Sequence, residues 1–130
     1  MTGYELPFYS RQGARISGDE WALLAARNKA GPGHPAGPYR RLGLDRVGII
    51  RVSTVWVGYD PHGVADPEVY ETLVSAPGHP NHRHHYATDP EAVQGHIEHV
   101  QMAHEAWDRL QELDGLLDAL GQILGPDEGE

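Results

Sequence analysis

The chain has 130 residues, no Cys, 10 Lys and Arg against 19 Asp and Glu, and a formal net charge of −9. That length suits one domain that buries a core without covalent staples, and the missing Cys excludes disulfides and thiolate metal sites outright. No apolar run approaches the roughly 18 residues needed to span a bilayer, and Met1–Glu5 lacks the basic and apolar blocks of a signal peptide, so a cytoplasmic location is expected.

Charge is segregated along the chain. Residues 1–55 carry a net +4 and residues 56–130 a net −13. The simpler reading is that the basic half packs beside the acidic half of the same or a neighbouring subunit. The sharper one is an acidic surface aimed at a basic partner.

The first elements occupy residues 8–29. Phe8–Ser10 and Ala14–Ile16 read as a small hairpin, with Gly13 supplying the positive φ of its turn. Ser17 and Glu20 form a capping box, and Trp21, Leu24 and Ala25 follow at helical spacing. This helix is expected to end near Lys29. Residues 30–46, opening with Gly31-Pro32-Gly33-His34-Pro35-Ala36-Gly37-Pro38, read as a loop.

An antiparallel sheet is expected over residues 47–87. Its central strand covers about Val47 to Tyr59. Val52 and Trp56 lie on one face with Thr54 between them, and Val55, Val57 and Tyr59 on the other. Both faces are partly apolar, so the strand is expected to be central and covered on both sides, at least in part. Asp60-Pro61-His62-Gly63 turns the chain into a second strand, Val69–Val74. Beyond the turn at Ala76–Asn81, His82–Ala87 forms a third strand, polar as an edge strand would be.

A long helix fills residues 88–124, with 125–130 as a tail. Thr88, Glu91 and Pro90 give a second capping box and a first-turn proline. Run without a break it measures about 54 Å at ~1.5 Å per residue. It therefore either breaks near Gly115 and folds back, or projects and pairs with another chain. Glu91, Glu98, Glu105 and Glu112 form a stripe opposite Val93, Val100 and Trp107. Leu110, Leu113, Leu117, Leu120 and Leu124 follow a 3-4-3-4 seam, best explained by a helix–helix contact.

Chemistry-bearing motifs are sparse. His79, His82, His84 and His85 cluster, and His82 and His84 at i and i+2 share one strand face. With Asp60 or His62 they could hold a metal ion, although polar residues collect in turn regions anyway. His104-Glu105-Ala106-Trp107-Asp108 has Asp where a helical zinc-protease motif needs its second His. His96 and His99 lack the preceding Glu of di-iron bundles. There is no nucleophile elbow and no phosphate loop. Arg40, Arg41, Arg46 and Arg51, near Tyr39, make a modest basic patch, set against an acidic whole. Mimicry of nucleic acid by the acidic half is a minor alternative. No catalytic, cofactor-binding or metal-binding residue is assigned, and no cofactor is expected.

Tyr9-Ser10-Arg11-Gln12-Gly13-Ala14-Arg15-Ile16-Ser17 with Glu20-Trp21-Ala22 resembles the opening of a set of small uncharacterised proteins of tailed phages and prophages, notably actinobacterial ones. The resemblance extends to Arg51-Val52-Ser53-Thr54-Val55-Trp56-Val57-Gly58-Tyr59-Asp60, to Tyr70-Glu71-Thr72-Leu73-Val74, to Tyr86-Ala87-Thr88 and to Gly95-His96. It covers roughly residues 8–99 and brings no catalytic residues with it. The chain departs from the pattern in its Gly/Pro-rich insert, its His-rich third strand and its longer Leu-rich helix.

The expected fold is a single α+β domain, an antiparallel meander of three to five strands packed by two helices. The expected function is that of a non-catalytic phage-type accessory protein that binds a protein partner, from host or phage, and self-associates through the C-terminal helix. A virion-associated structural protein in a symmetric assembly and a His-dependent metal-binding hydrolase are the alternatives. No membrane partner is expected, and nucleic acid is disfavoured.

Overall fold

The computed structural model describes residues 7–26, 39–60 and 67–125. His62 and the Gly/Pro-rich stretch 30–38 lie outside the described residues. Strands β1 (Phe8–Tyr9) and β2 (Arg15–Ile16) form the small hairpin, followed by helix α1 (Gly18–Ala26). Strands β3 (Arg41–Val47), β4 (Ile50–Trp56), β5 (Tyr70–Ser75) and β6 (His82–Tyr86) form an antiparallel sheet in the order β3-β4-β5-β6. Helix α2 (Asp89–Leu124) then crosses one face of that sheet. The α+β architecture with a long C-terminal helix follows the sequence expectation.

The expected strand from Val47 to Tyr59 is corrected, and so is the part of the expected 30–46 loop from Arg41 on, which is a strand. Val47 ends β3 and Ile50 begins β4, so the chain reverses at Gly48-Ile49. Gly48 has φ 59°, which suits the first central position of a two-residue hairpin turn. Trp107 of α2 lies directly on it, in space a side chain would fill. The apolar run Val47–Tyr59 hid this turn, because one Gly inside it reads as an irregularity of a single strand. Residues 41–46, polar and Arg-rich, are an edge strand.

β4 is central, between β3 and β5, and its two faces are covered unequally. Along β4, Ile50, Val52, Thr54 and Trp56 are buried, while Arg51 is exposed and Ser53 and Val55 are half-buried. The buried side packs on α2. The other carries Arg41, Leu44, Arg46, Arg51, Leu73 and Arg83 by register. One face covered and one facing water is the ordinary state of an antiparallel sheet.

The core has two apolar centres under α2. Val47, Ile50, Val52 and Ala103 form one, with Trp107 and Val100 against it. Trp56, Val69, Tyr70 and Ala92 form the other, joined by Tyr9, Trp21, Leu24 and Tyr86. The hairpin and α1 are tied to the end of β4 there. Trp56 Nε1 donates to the Tyr9 carbonyl at 2.9 Å, and Trp21 Nε1 to the Val57 carbonyl at 2.8 Å. Ser17 Oγ accepts from the Glu20 amide at the start of α1. Both halves of the Thr88–Glu91 capping box are present at the start of α2.

Candidate functional site

Between the two apolar centres runs a polar layer that the sequence does not announce. Thr54 and Thr72, opposite one another on β4 and β5, approach to 2.6 Å between hydroxyl oxygens. Thr54 Oγ1 lies 2.7 Å from His96 Nδ1, and His96 Nε2 lies 2.7 Å from Asp45 Oδ2. With the Asp45 carboxylate as acceptor, Nε2–H donates to it. Nδ1 then accepts from Thr54, whose oxygen accepts in turn from Thr72.

An acid, an imidazole and a hydroxyl in a row have the outline of a nucleophilic triad. Access excludes that role. Thr54 and Thr72 are 0% exposed, so no carbonyl could approach the hydroxyl. Glycine at position 43 lets the ring settle on β3, since a Cβ there would stand 2.5 Å from His96 Nε2. The layer is a polar key that fixes the position of α2 on the sheet.

A second polar hub anchors the start of α2. Arg11 Nε meets Asp89 Oδ2 at 2.8 Å, and Tyr70 Oη donates to the Arg11 carbonyl at 2.7 Å. Burial, with the Asp89 charge beside it, pushes the Tyr70 phenol well above its usual range. The hydrogen bond to Asp89 raises Arg11 further, against a smaller opposing effect of burial. Tyr70 therefore stays a neutral donor here.

The His cluster divides. By register His82 faces the α2 side with Val74, and His84 with Thr72, so these two share a face as the spacing implies. Arg83 and His85 point the other way and both meet Glu71, each at 3.1 Å. His79 lies in the β5–β6 turn. On the α2 side the partner of His84 is His99, with ring centroids 4.2 Å apart. His99 Nδ1 donates to the Gly95 carbonyl at 2.7 Å. Burial, and then the neighbouring His99, His82 and His85, lower the pKa of His84. Among the described residues no three His, Asp or Glu side chains are grouped to hold a metal ion.

His82, His84 and His99 instead rim a groove of about 410 Å³ between α2 and the β5–β6 half of the sheet. Its walls are Ile50, Val74, Met102, Ala103 and Ala106. A neighbouring groove continues along α2 to Leu110.

Beyond Leu110, α2 runs past the sheet with its leucines exposed. The helix is continuous through Gly115 to Leu124, which settles the alternative between folding back and projecting. Leu110, Leu113, Leu117, Leu120 and Leu124 are each between 47% and 75% exposed. Leu116 and Ile123 flank them, also exposed. Glu91, Glu98, Glu105 and Glu112 are exposed, as expected of a solvated stripe.

The seam is longer than the five leucines. Positions 92, 96, 99, 103, 106, 110, 113, 117, 120 and 124 alternate steps of four and three without interruption. The strip that faces the sheet as Ala92, His96, His99 and Ala103 becomes all leucine where the sheet stops. Ala92 and Ala103 let the helix backbone ride close to the strands, and His96 hydrogen-bonds there to Thr54 and Asp45. The large apolar residues of the second half are left exposed instead. This seam and its groove are the candidate functional surface. No helix is long and apolar enough to cross a membrane, as far as the described residues go. No known protein family, curated protein or solved structure matches the chain.

Proposed function

We propose that the chain is a non-catalytic protein-binding module of the small phage-type accessory kind, and that its working surface is the projecting half of α2. One observation carries this reading: an unbroken row of leucines, each about half exposed or more, on a helix continuous with the part packed on the sheet. Exposed apolar patches that are contiguous and rimmed by polar residues mark interaction sites. Asp108, Glu112, Asp114 and Asp118 supply that rim. The absence of an accessible nucleophile at Thr54 weighs against hydrolytic chemistry at the polar key.

The test is capture with purified full-length chain against the L113D/L120D variant. These two side chains touch solvent, so the domain should keep its fold and near-ultraviolet dichroism. The wild type should retain a partner identified by mass spectrometry, and the variant should lose it. Equal capture by both would end the claim that the seam is the working surface.

A further inference from the structure

We infer that the occupant of the seam is a second copy of this chain, bound antiparallel, with the two α2 helices crossing at Gly115. This rests on the reading of the seam as a binding surface and names its partner.

Orientation follows from what already lies on the strip. In a parallel pair the strip of each helix would face the other helix along its whole length. Over residues 92–103 that space is filled by the chain's own sheet, so parallel helices would have to part at about Trp107. An antiparallel pair carries the two sheets to opposite ends and leaves only projecting halves in contact. It closes on itself, which limits assembly to a dimer.

Register follows from the heptad. Labelling Leu110, Leu117 and Leu124 as one core position and Ala106, Leu113 and Leu120 as the other, antiparallel packing sets unlike positions opposite each other. Leu113 then meets Leu117 of the second copy, Leu110 meets Leu120, and Ala106 meets Leu124. The largest overhang, Leu124, is thereby placed beside the smallest residue of the row, next to Met102 in the groove. Leu116 meets its own counterpart near the axis.

Charge supports the same register. The last turn of α2 has no basic residue to offset the negative end of the helix dipole. Arg109 is the only cation in the projecting half, and it makes no ion pair among the described residues. The antiparallel register sets Arg109 beside Ile123 of the second copy, in that uncapped last turn. Asp114 lies close to its counterpart, so screening of that repulsion should tighten the pair as salt rises.

The absence of Cys makes one introduced thiol unique. Light scattering on the full chain should give a dimer at tens of micromolar, and L113D/L120D should lose it. A spin label at Gln122→Cys, exposed in the projecting half of α2, reports orientation. Antiparallel helices crossing at Gly115 separate the two labels by about 21 Å along the axis in addition to the width of the pair. Parallel helices leave only the width of the pair, roughly 20 Å. A dimer with the short distance would overturn the antiparallel inference. A wild type that stays monomeric would overturn the second copy as occupant. The working-surface reading would then survive only if L113D/L120D still lost an identified heterologous partner.

Discussion

Thr54 shows how one side chain can be both the centre of a core and unreadable in sequence. It stands between Val52 and Trp56 in a strand where a buried Val would look at home. Yet its hydroxyl joins Thr72 to His96 in a fully buried layer. Thr54→Val keeps the shape and removes the link, leaving Thr72 Oγ1 and His96 Nδ1 without their shared partner. A loss of about 1–3 kcal/mol is expected from the urea midpoint at unchanged slope. His84 sets a pH dependence of known sign. Its folded pKa is lowered, so below its ordinary value the unfolded chain takes up a proton that the folded chain resists. Stability should therefore fall as pH drops below about 6.5, and His84→Gln should flatten that slope in denaturation curves taken from pH 7.5 to 5. Tyr70, its phenol pushed by burial well above the usual range, stays neutral over the same pH span.

At the scale of elements, local signals were legible and long-range ones were not. Gly13, Ser17 and the Thr88–Glu91 box are statements about neighbours a few residues apart, and each formed where expected. The β3–β4 reversal is made at Gly48, on which Trp107, from far along the chain, lies. Nothing near Gly48 signals that. The division of the His cluster was half legible: alternation places His82 and His84 together, but His99 comes from another element. The five exposed leucines could be seen in the sequence, whereas their continuity with Ala92, His96, His99 and Ala103 needed the sheet to show which face is covered. Two glycines in the projecting half, Gly115 and Gly121, have no atoms within 4 Å of a Cβ placed on them. Gly115→Ala and Gly121→Ala should each favour the helix by roughly 1 kcal/mol, read as a rise in helical dichroism at low concentration.

For the molecule as a whole, the segregation of charge has a structural address. The open sheet face bears Arg41, Arg46, Arg51 and Arg83, while the exposed flank of α2 is acidic. Arg46 and Arg51 stand directly opposite one another on β3 and β4, and no ion pair joins either to a described carboxylate. Like charges in that position repel. Arg46→Glu should raise stability by about 0.2–1 kcal/mol at low ionic strength, with the gain shrinking in added salt. If instead the variant is destabilised, the face is in contact with something that needs its charge. The basic half does pack beside the acidic half of the same chain, as β4 pairs with β5, α2 lies on β3 and β4, and Arg11 meets Asp89, while the Arg-bearing sheet face itself points away from α2.

The change from alanine to leucine along one strip of α2 has a consequence for how the helix comes to exist at all. Its first half is ordered by the sheet it covers. The second half, with two glycines and its leucines exposed, is of the length at which isolated helices are marginal in water. Under the proposed pairing its order depends on the second copy, and binding there is also folding. Dilution should unravel the chain from Leu124 back toward Trp107 while the sheet stays intact. Amide exchange should show that boundary as a step, with fast exchange beyond Trp107 in dilute samples and protection returning as concentration rises.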